Sequence, residues 1–251
     1  MFCLLFLIII YYDIIFSKSL LLHIEMLERE IINSCSRLIL EQFKSTKYIV
    51  KLDYEMGFDF GIADILIFWV SKELLEKRKI SEIKKPILNF LSYYIFFNAP
   101  KNREFEFNEL LELLNIKDND TAKYIKYNNI KYLVKNNYFL QIHRNLYIKN
   151  NNYINPVKKI FAFEIKISDW KSGIIQAKRY KSYADESYLG IWDRFLGRAL
   201  KNIDLFEINN IGLLSLGETK VRKKIKPKIN SNIIDFNRSL ASEFLLGKSL
   251  T

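Results

Sequence analysis

The chain is poor in the residues that build disulfide frameworks and zinc sites. Its 251 residues include two cysteines, Cys3 and Cys35, and two histidines, His23 and His143, which lie far apart in the sequence. Two such cysteines provide neither a disulfide framework nor a Cys-x-x-Cys metal site. The scattered histidines argue against a zinc site. A disulfide-stapled or zinc-dependent protein is therefore not expected.

Acidic residues are fewer than basic ones. The chain has 39 Lys and Arg against 28 Asp and Glu, which gives a formal net charge of +11. This balance favours a polyanionic partner, nucleic acid first and an acidic membrane surface second. A generally lysine-rich proteome would give the same charge. Hydrophobic residues make up 49% of the chain, with 19 Phe and 15 Tyr, which is ample for one large domain or two small ones.

A hydrophobic run long enough to span a membrane is also lacking. Residues 2–12 are all apolar or tyrosine, but Asp13 follows, and a membrane helix needs about 20 apolar residues. The run also lacks the basic segment and small-residue cleavage site of a signal peptide. Three interpretations of this extension, residues 1–25, stay open: a mis-assigned start with Met26 as the true first residue, a membrane anchor, or an extra buried element. We expect no membrane association and a cytoplasmic location.

One stretch combines a strand and a helix with unusual charges. Residues 160–167 are mostly β-branched or aromatic and predict a strand, while Ser168-Asp169 predicts the N-cap of a helix that continues to about Ala184. Glu164 and Lys166 interrupt the strand and, being two positions apart, point to the same face. Burying such charges is costly unless they pair or bind a metal. A structural ion pair and a functional pair are both compatible with this pattern.

The helix and an earlier strand add further polar residues. Gln176 and Tyr180 are four positions apart and share one helical face. Gly61-Ile-Ala-Asp64 lies in another apolar strand, which is predicted over 58–70. Gly-x-x-Asp, Glu-x-Lys and Gln-x-x-x-Tyr in this order resemble the PD-(D/E)XK nuclease superfamily, and most closely its RecB-like branch. The shortage of cysteine argues against the iron–sulfur members of that branch.

The resemblance implies a Mg²⁺-dependent phosphodiesterase, with Mn²⁺ able to substitute. Asp64, Glu164 and the backbone carbonyl of Ile165 would be the metal ligands, and Lys166 would stabilise the transition state or orient the attacking water. Gln176 would support the site or touch the nucleic-acid backbone. Tyr180 would hold that glutamine or place its hydroxyl at the rim. Glu28 or Glu30 on a first helix, predicted over 27–43, is a further acidic candidate.

Asp64 and Glu164 are 100 positions apart, whereas the family usually joins them by a short connection. The intervening segment therefore predicts an inserted domain at 80–150, with helices over 81–97, 105–114 and 121–135 and a hairpin over 138–149. This layout resembles a winged helix-turn-helix domain. From Thr121 to Asn150 there are six basic residues and no acidic ones. The candidate nucleic-acid contacts are Lys123, Lys126, Lys131 and Lys135 on the third helix and Arg144 at the tip of the hairpin. A solvated basic helix in a protein interface is the alternative.

Together these patterns predict an α/β protein with a mixed sheet. A restriction-endonuclease-like core would comprise 26–71 and 151–251, with the small winged-helix-like domain inserted. The expected partner is DNA, without a small-molecule cofactor, and a homodimer stays open. A non-catalytic DNA-binding regulator on a nuclease-like scaffold is the second hypothesis. The basic segment 220–228 fits either a phosphate-tracking surface or a lysine-protected edge strand.

Overall fold

The computed structural model describes residues 28–58, 61–83 and 85–250. The three interpretations of residues 1–25 therefore lie outside the described part of the chain. The first helix, α1, is described over 28–42. The remaining elements are β1 (Ile49–Phe58), β2 (Gly61–Val70), α2 (Lys72–Ile80), α3 (Phe90–Asn98), β3 (Glu104–Glu106), α4 (Phe107–Leu113), α5 (Asn119–Tyr124), α6 (Lys131–Lys135), β4 (Phe139–His143), β5 (Leu146–Lys149), β6 (Val157–Lys166), α7 (Trp170–Arg179), β7 (Glu186–Trp192), α8 (Leu196–Leu200), α9 (Ile203–Asn209), β8 (Gly212–Leu216), β9 (Val221–Ile225) and α10 (Asp235–Leu250).

The larger sheet has six strands in the order β1-β2-β6-β7-β8-β9. β6 pairs parallel with β7, β7 pairs parallel with β8, and β9 is antiparallel to β8. The central strands β6, β7 and β8 are buried almost without interruption, as expected for parallel strands covered on both faces. The prediction of an α/β protein with a mixed sheet is confirmed.

The described chain forms two compact units. The first unit contains 28–44, 52–58, 61–67 and 160–231. Its core includes an aromatic cluster in which the ring of Phe43 meets those of Phe161, Phe163 and Tyr188 at centroid distances of 4.9, 5.0 and 5.2 Å. A second cluster packs α7, α8 and α9 on the sheet through Trp170, Ile174, Leu189, Ile191, Leu196 and Phe206.

The second unit contains 45–51, 68–83, 85–159 and 232–250. Its small sheet has the order β3-β5-β4, with both pairings antiparallel. A π-helical segment, Ile125–Ile130, joins α5 to α6, so that residues 119–135 form one continuous helical rod. The third predicted helix is therefore present. The Asp120-Thr121 pair predicts its N-cap at Asp120, whereas the structure has the N-cap at Asp118. The hairpin is also confirmed.

Two predicted helices differ from the structure. The helix predicted over 81–97 begins only at Phe90, because the Asn89 side chain caps it by accepting from the Ser92 N–H at 2.8 Å. Ile83 and Ile87 are fully buried without being helical. Their four-residue spacing is that of one face of a helix, and the prediction of a helix from residue 81 was wrong for this reason. The sequence also predicts a helix from Asp193 to about Phe206, and the structure divides this segment into a 3-10 turn, α8 and α9.

Two elements were not predicted at all, the helix α2 and the short strand β3. The first begins where Ser71 accepts a hydrogen bond from the Leu74 N–H at 3.3 Å. The basic segment around 221–225 forms β9, the last strand in the order of the larger sheet, as one of its two interpretations predicted. Within the described ranges, no helix is both long enough and apolar enough to cross a membrane.

Candidate active site

Glu164 and Lys166 meet on one face of β6, as their spacing predicted. The Lys166 Nζ atom lies 2.9 Å from Glu164 Oε1. Glu164 is only 2% exposed, and Lys166 is half-buried. A carboxylate in such a position needs a cationic or hydrogen-bonding partner. The lysine two residues later along the strand provides one.

Asp64 reaches the same place from β2. Its Oδ2 atom accepts a hydrogen bond from the Ile165 backbone N–H at 2.6 Å, so the carboxylate lies against the backbone between Glu164 and Lys166. The three residues of the Asp and Glu-x-Lys motifs are therefore brought together in the first unit.

Gly61 lies three residues before Asp64 and has a φ of +122°, a conformation that L side chains rarely adopt. A Cβ atom there would also lie 3.3 Å from Cε1 of Tyr180. The glycine of Gly-x-x-Asp is thus required both by its backbone angle and by its close contact with α7.

Tyr180 is buried, and its hydroxyl oxygen contacts both the Glu164 carboxylate and the Ile62 carbonyl oxygen, the latter at 2.7 Å. The hydroxyl has one proton and can donate it to only one of these acceptors at a time. Tyr180 therefore donates to Glu164 when that group is ionised, and can donate to Ile62 when the carboxyl is protonated. It holds Glu164 and does not contact Gln176 by any hydrogen bond that the structure shows.

Glu28 completes the cluster from α1. Its Oε2 atom lies 3.3 Å from Lys166 Nζ, and its Oε1 atom accepts from the Ile167 N–H at 3.4 Å. Lys166 is thus held between two carboxylates. Of the two acidic candidates on the first helix, Glu28 is in the site and Glu30 is exposed to solvent. Sequence reasoning could not choose between them, because neither helix orientation nor register is encoded in a local motif.

Burial and charge repulsion between the carboxylates raise the pKa values of Asp64 and Glu164. Desolvation, followed by the charge of Glu164, raises the pKa of Asp64 from 3.8 to about 7. Desolvation also raises the pKa of Glu164, although Lys166 and Tyr180 oppose this effect. Burial alone would lower the pKa of Lys166, but the carboxylates of Glu164, Glu28 and Asp64 raise it. The lysine is therefore cationic at neutral pH, and the carboxylates would gain from further positive charge.

Gln176 lies one helical turn before Tyr180 on α7 and is half-buried. Its Oε1 atom is buried and has no hydrogen-bond partner among the residues that the structure describes. The structure does not bring Gln176 into contact with Asp64, Glu164 or Lys166 through any hydrogen bond that it shows.

The oxygen atoms around Asp64 and Glu164 are of the chemical type that binds Mg²⁺. Asp64, Glu164 and the Ile165 carbonyl offer hard oxygen atoms, which Mg²⁺ prefers, and Mg²⁺ typically takes only one or two protein carboxylates while keeping several waters. Across 28–58, 61–83 and 85–250, no group of three or more His, Cys, Asp or Glu side chains could hold a metal ion by itself. The site could therefore bind Mg²⁺ through two carboxylates, with waters as the remaining ligands, and the described residues provide no larger set of protein ligands.

The predicted nucleic-acid contacts lie in the second unit and differ in exposure. Lys123, Lys131 and Lys135 are exposed along the helical rod, and Arg144 is exposed in the hairpin. Lys126 is half-buried, with its Nζ atom 5.6 Å from the centroid of the Phe107 ring. Tyr127 is 69% exposed and, at four-residue spacing, lies between Lys123 and Lys131. We call Lys123, Tyr127, Lys131 and Lys135 the lysine–tyrosine stripe.

Comparison with known proteins found no match. No protein-family model matches the chain, and no match was found among the curated proteins or the solved structures.

Proposed function

We propose that the chain is a metal-dependent deoxyribonuclease that hydrolyses phosphodiester bonds through Asp64, Glu164 and Lys166. The observation that carries the proposal is the convergence of two buried or half-buried carboxylates and a lysine from β2 and β6. An arrangement built only for stability would gain little from acids whose ionisation the surroundings oppose. Perturbed acids clustered with a cation are typical of sites that do chemistry.

The proposal assigns Mg²⁺ to the oxygen atoms of Asp64, Glu164 and the Ile165 carbonyl. A bound Mg²⁺ would stabilise charge on the phosphate and lower the pKa of a bound water. Tyr180 orients Glu164 by its hydroxyl, and the Ile165 N–H orients Asp64. These residues fix the carboxylates before any ligand arrives, which reduces the reorganisation needed during the reaction.

Lys166 would act on the phosphate or on the attacking water. Its ammonium is already fixed between Glu164 and Glu28. A cation fixed in this way can stabilise charge that develops on non-bridging phosphate oxygens, and it does so as a point charge. Glu28 is a positioning residue in this scheme, since it holds Lys166 and the Ile167 N–H.

The second unit would bind DNA. Its order of helix, short strand, two helices and hairpin, with the sheet order β3-β5-β4, supports the winged-helix interpretation of 80–150. The lysine–tyrosine stripe lies on the helical rod that would enter a groove. Exposed lysines without intervening acids suit a phosphate backbone.

Cleavage and binding assays separate a nuclease from a non-catalytic DNA-binding regulator. Supercoiled plasmid and branched DNA are incubated with Mg²⁺ or Mn²⁺ and with the wild type, Asp64→Asn or Glu164→Gln. We expect each variant to lose about 10³-fold in rate while its far-UV circular dichroism is unchanged. A double change of Lys131 and Lys135 to alanine should weaken DNA binding. The slope of log K for DNA binding against log salt concentration should become less negative by up to about 0.9 for each phosphate contact that is lost. Binding that depends on salt, without metal-dependent cutting, would instead favour the regulator.

A further inference from the structure

The second unit contains a cavity of about 380 Å³ that the proposed nuclease activity does not use. Its volume lies near the lower end of the roughly 300–1,000 Å³ that is typical of small-molecule sites. Aromatic walls and charged groups share its lining, which includes Phe96, Phe97, Tyr153, Lys101, Lys149 and Asp235. Such a combination suits a ligand that is planar in one part and anionic in another.

Lys149, on β5, is the most unusual residue of this lining, because it is a lysine that is only 6% exposed. Its Nζ atom donates to the carbonyl oxygens of Phe97 and Ala99 at 3.1 and 3.4 Å, and it lies 4.5 Å from the centroid of the Phe96 ring. None of these partners in the described part of the chain is an anion. A buried ammonium held only by carbonyl dipoles and a ring face gains strongly from an anionic ligand.

Lys101 lines the same cavity and is exposed. Burial, followed by the charge of Lys101, lowers the pKa of Lys149 to about 8, so the Lys149 ammonium is mostly protonated at pH 7. Asp235 is the one carboxylate in the cavity lining among the described residues. The lining charge is therefore net positive, and Lys101 is the solvent-exposed lysine of the two.

The aromatic side chains are not equally available. Phe96 is buried, whereas Phe97 and Tyr153 are half-buried, and all three line the cavity. Stacking of a nucleic-acid base on an aromatic side chain is worth about 1–3 kcal/mol per base and depends little on the identity of the base.

We propose that this cavity binds one nucleotide unit, with its phosphate at Lys149 and Lys101 and its base against Phe97 and Tyr153. The unit is either a free mononucleotide or an unpaired nucleotide of a DNA strand, since the two share this chemistry. Ser239 and Asp235, also in the lining, offer hydrogen-bonding groups to the edge of the base. The site is independent of whether Asp64, Glu164 and Lys166 cut DNA.

Calorimetric titration of the full chain with deoxyadenosine monophosphate tests the free ligand. Deoxyadenosine, deoxyribose 5-phosphate and inorganic phosphate serve as matched probes that lack one part each. We expect the complete nucleotide to bind at least tenfold more tightly than any of them.

Lys149→Met should weaken binding at least tenfold without lowering the Tm, because it removes a buried charge and keeps the apolar stem. Lys101→Ala should weaken binding without affecting the fold, and Lys117→Ala, an exposed lysine of the same unit outside the lining, should change nothing.

A second titration uses oligothymidylate with and without a 5′-phosphate. Binding of the oligonucleotide that Lys149→Met weakens tenfold, without binding of the mononucleotide, would identify the strand as the source and support the proposal. Failure of both probes to bind would overturn it. So would binding that Lys149→Met and Lys101→Ala leave unchanged. If Lys149→Met does not fold, the exposed Lys101→Ala decides.

Discussion

At the scale of single residues, Lys166 connects the acidic groups of the candidate site. It is the lysine of the Glu-x-Lys motif, and it contacts Glu164 from its own strand and Glu28 from α1. Asp64 contributes to the same electrostatic balance from β2. The site therefore depends on three separate elements, and each of its charges is held by at least one partner from outside its own element.

Asp64 should make the metal-free protein less stable as pH rises. Its pKa is about 7 in the folded chain, against an ordinary value of 3.8. Between these values the folded state holds a proton that the unfolded chain releases, so the free energy of unfolding falls as pH rises from about 4 to about 7. Asp64→Asn removes this penalty. Its Tm in EDTA should exceed that of the wild type at pH 8 by at least roughly 2–4 °C, and the difference should shrink at pH 5.

Mg²⁺ gives the matching control for this prediction. At pH 8 the added ion should raise the Tm of the wild type by binding the folded state, and it should raise that of Asp64→Asn much less. Thermal melts of both proteins at pH 5 and pH 8 check the prediction. Equal Tm values for the two proteins at pH 8 in EDTA would contradict the assigned environment of Asp64.

The two-residue spacing of Glu164 and Lys166 predicted that they share one face of a strand. The resemblance to the nuclease superfamily, and not the spacing, implied that Asp64 lies beside them. The sequence could not predict the contacts of Tyr180, whose hydroxyl meets Glu164 and Ile62 and not Gln176. Those contacts depend on how closely α7 approaches the sheet. The choice of Glu28 over Glu30 likewise follows from the orientation of α1, which no local pattern specifies.

At the scale of elements, the close packing of α7 on the sheet depends on Gly173. A Cβ atom there would lie 2.5 Å from Cδ1 of Leu189 and 3.2 Å from Cγ of Lys166. Gly173→Ala should therefore destabilise the protein by about 1–3 kcal/mol, despite the better helix propensity of alanine. The same change should lower the cleavage rate, because it displaces the stem of Lys166.

Gly197 provides a matched control for that change. It lies in α8, and a Cβ atom there would meet nothing within 4 Å. Gly197→Ala should stabilise the protein by roughly 0.5–1 kcal/mol through helix propensity alone. Urea denaturation measures both effects. A Gly173→Ala variant as stable as Gly197→Ala would show that α7 tolerates a wider separation from β7.

The sequence predicted best the elements whose ends are marked by a specific local residue pattern, such as an N-cap. Asp169 caps α7 by accepting from the Ser172 N–H at 3.2 Å, as the Ser168-Asp169 pair predicted. The start of α3 was predicted too early because Ile83 and Ile87 are buried at helical spacing although neither residue is helical. Tertiary burial imposed the apolar pattern there, and Pro86 and the cap at Asn89 decided the local structure.

At the scale of the whole molecule, the chain has two compact units with different kinds of buried charge. The second unit encloses an ion pair between Arg78 and Glu243, whose side chains are both fully buried. Arg78 Nη2 lies 3.3 Å from each carboxylate oxygen, and Glu243 also accepts from the Ile87 N–H at 2.7 Å and the Tyr153 hydroxyl at 2.9 Å. This pair has a structural role in our account, although the buried Nε atom of Arg78 has no hydrogen-bond partner among the described residues.

Removal of Arg78 should be more costly than removal of the charge pair. Arg78→Leu leaves the Glu243 carboxylate buried without a cation and should cost about 3–5 kcal/mol. The double variant Arg78→Leu/Glu243→Gln keeps the hydrogen-bond acceptor but has no buried charge, so it should be more stable than the single variant. Urea denaturation of the wild type, both single variants and the double variant completes the cycle. Additive effects would show that the two charges do not interact as the structure indicates.

The most direct test of the central claim compares Lys166→Met with Lys178→Met in a plasmid-nicking assay with Mg²⁺. Both changes remove one lysine charge and keep the apolar stem, but Lys178 is exposed on α7, whereas Lys166 contacts Glu164 and Glu28. The account predicts that the wild type and Lys178→Met nick the plasmid at similar rates and that Lys166→Met is slower by about 10²–10³-fold. Metal-dependent nicking at the wild-type rate by Lys166→Met would contradict the assignment of this cluster as the catalytic site.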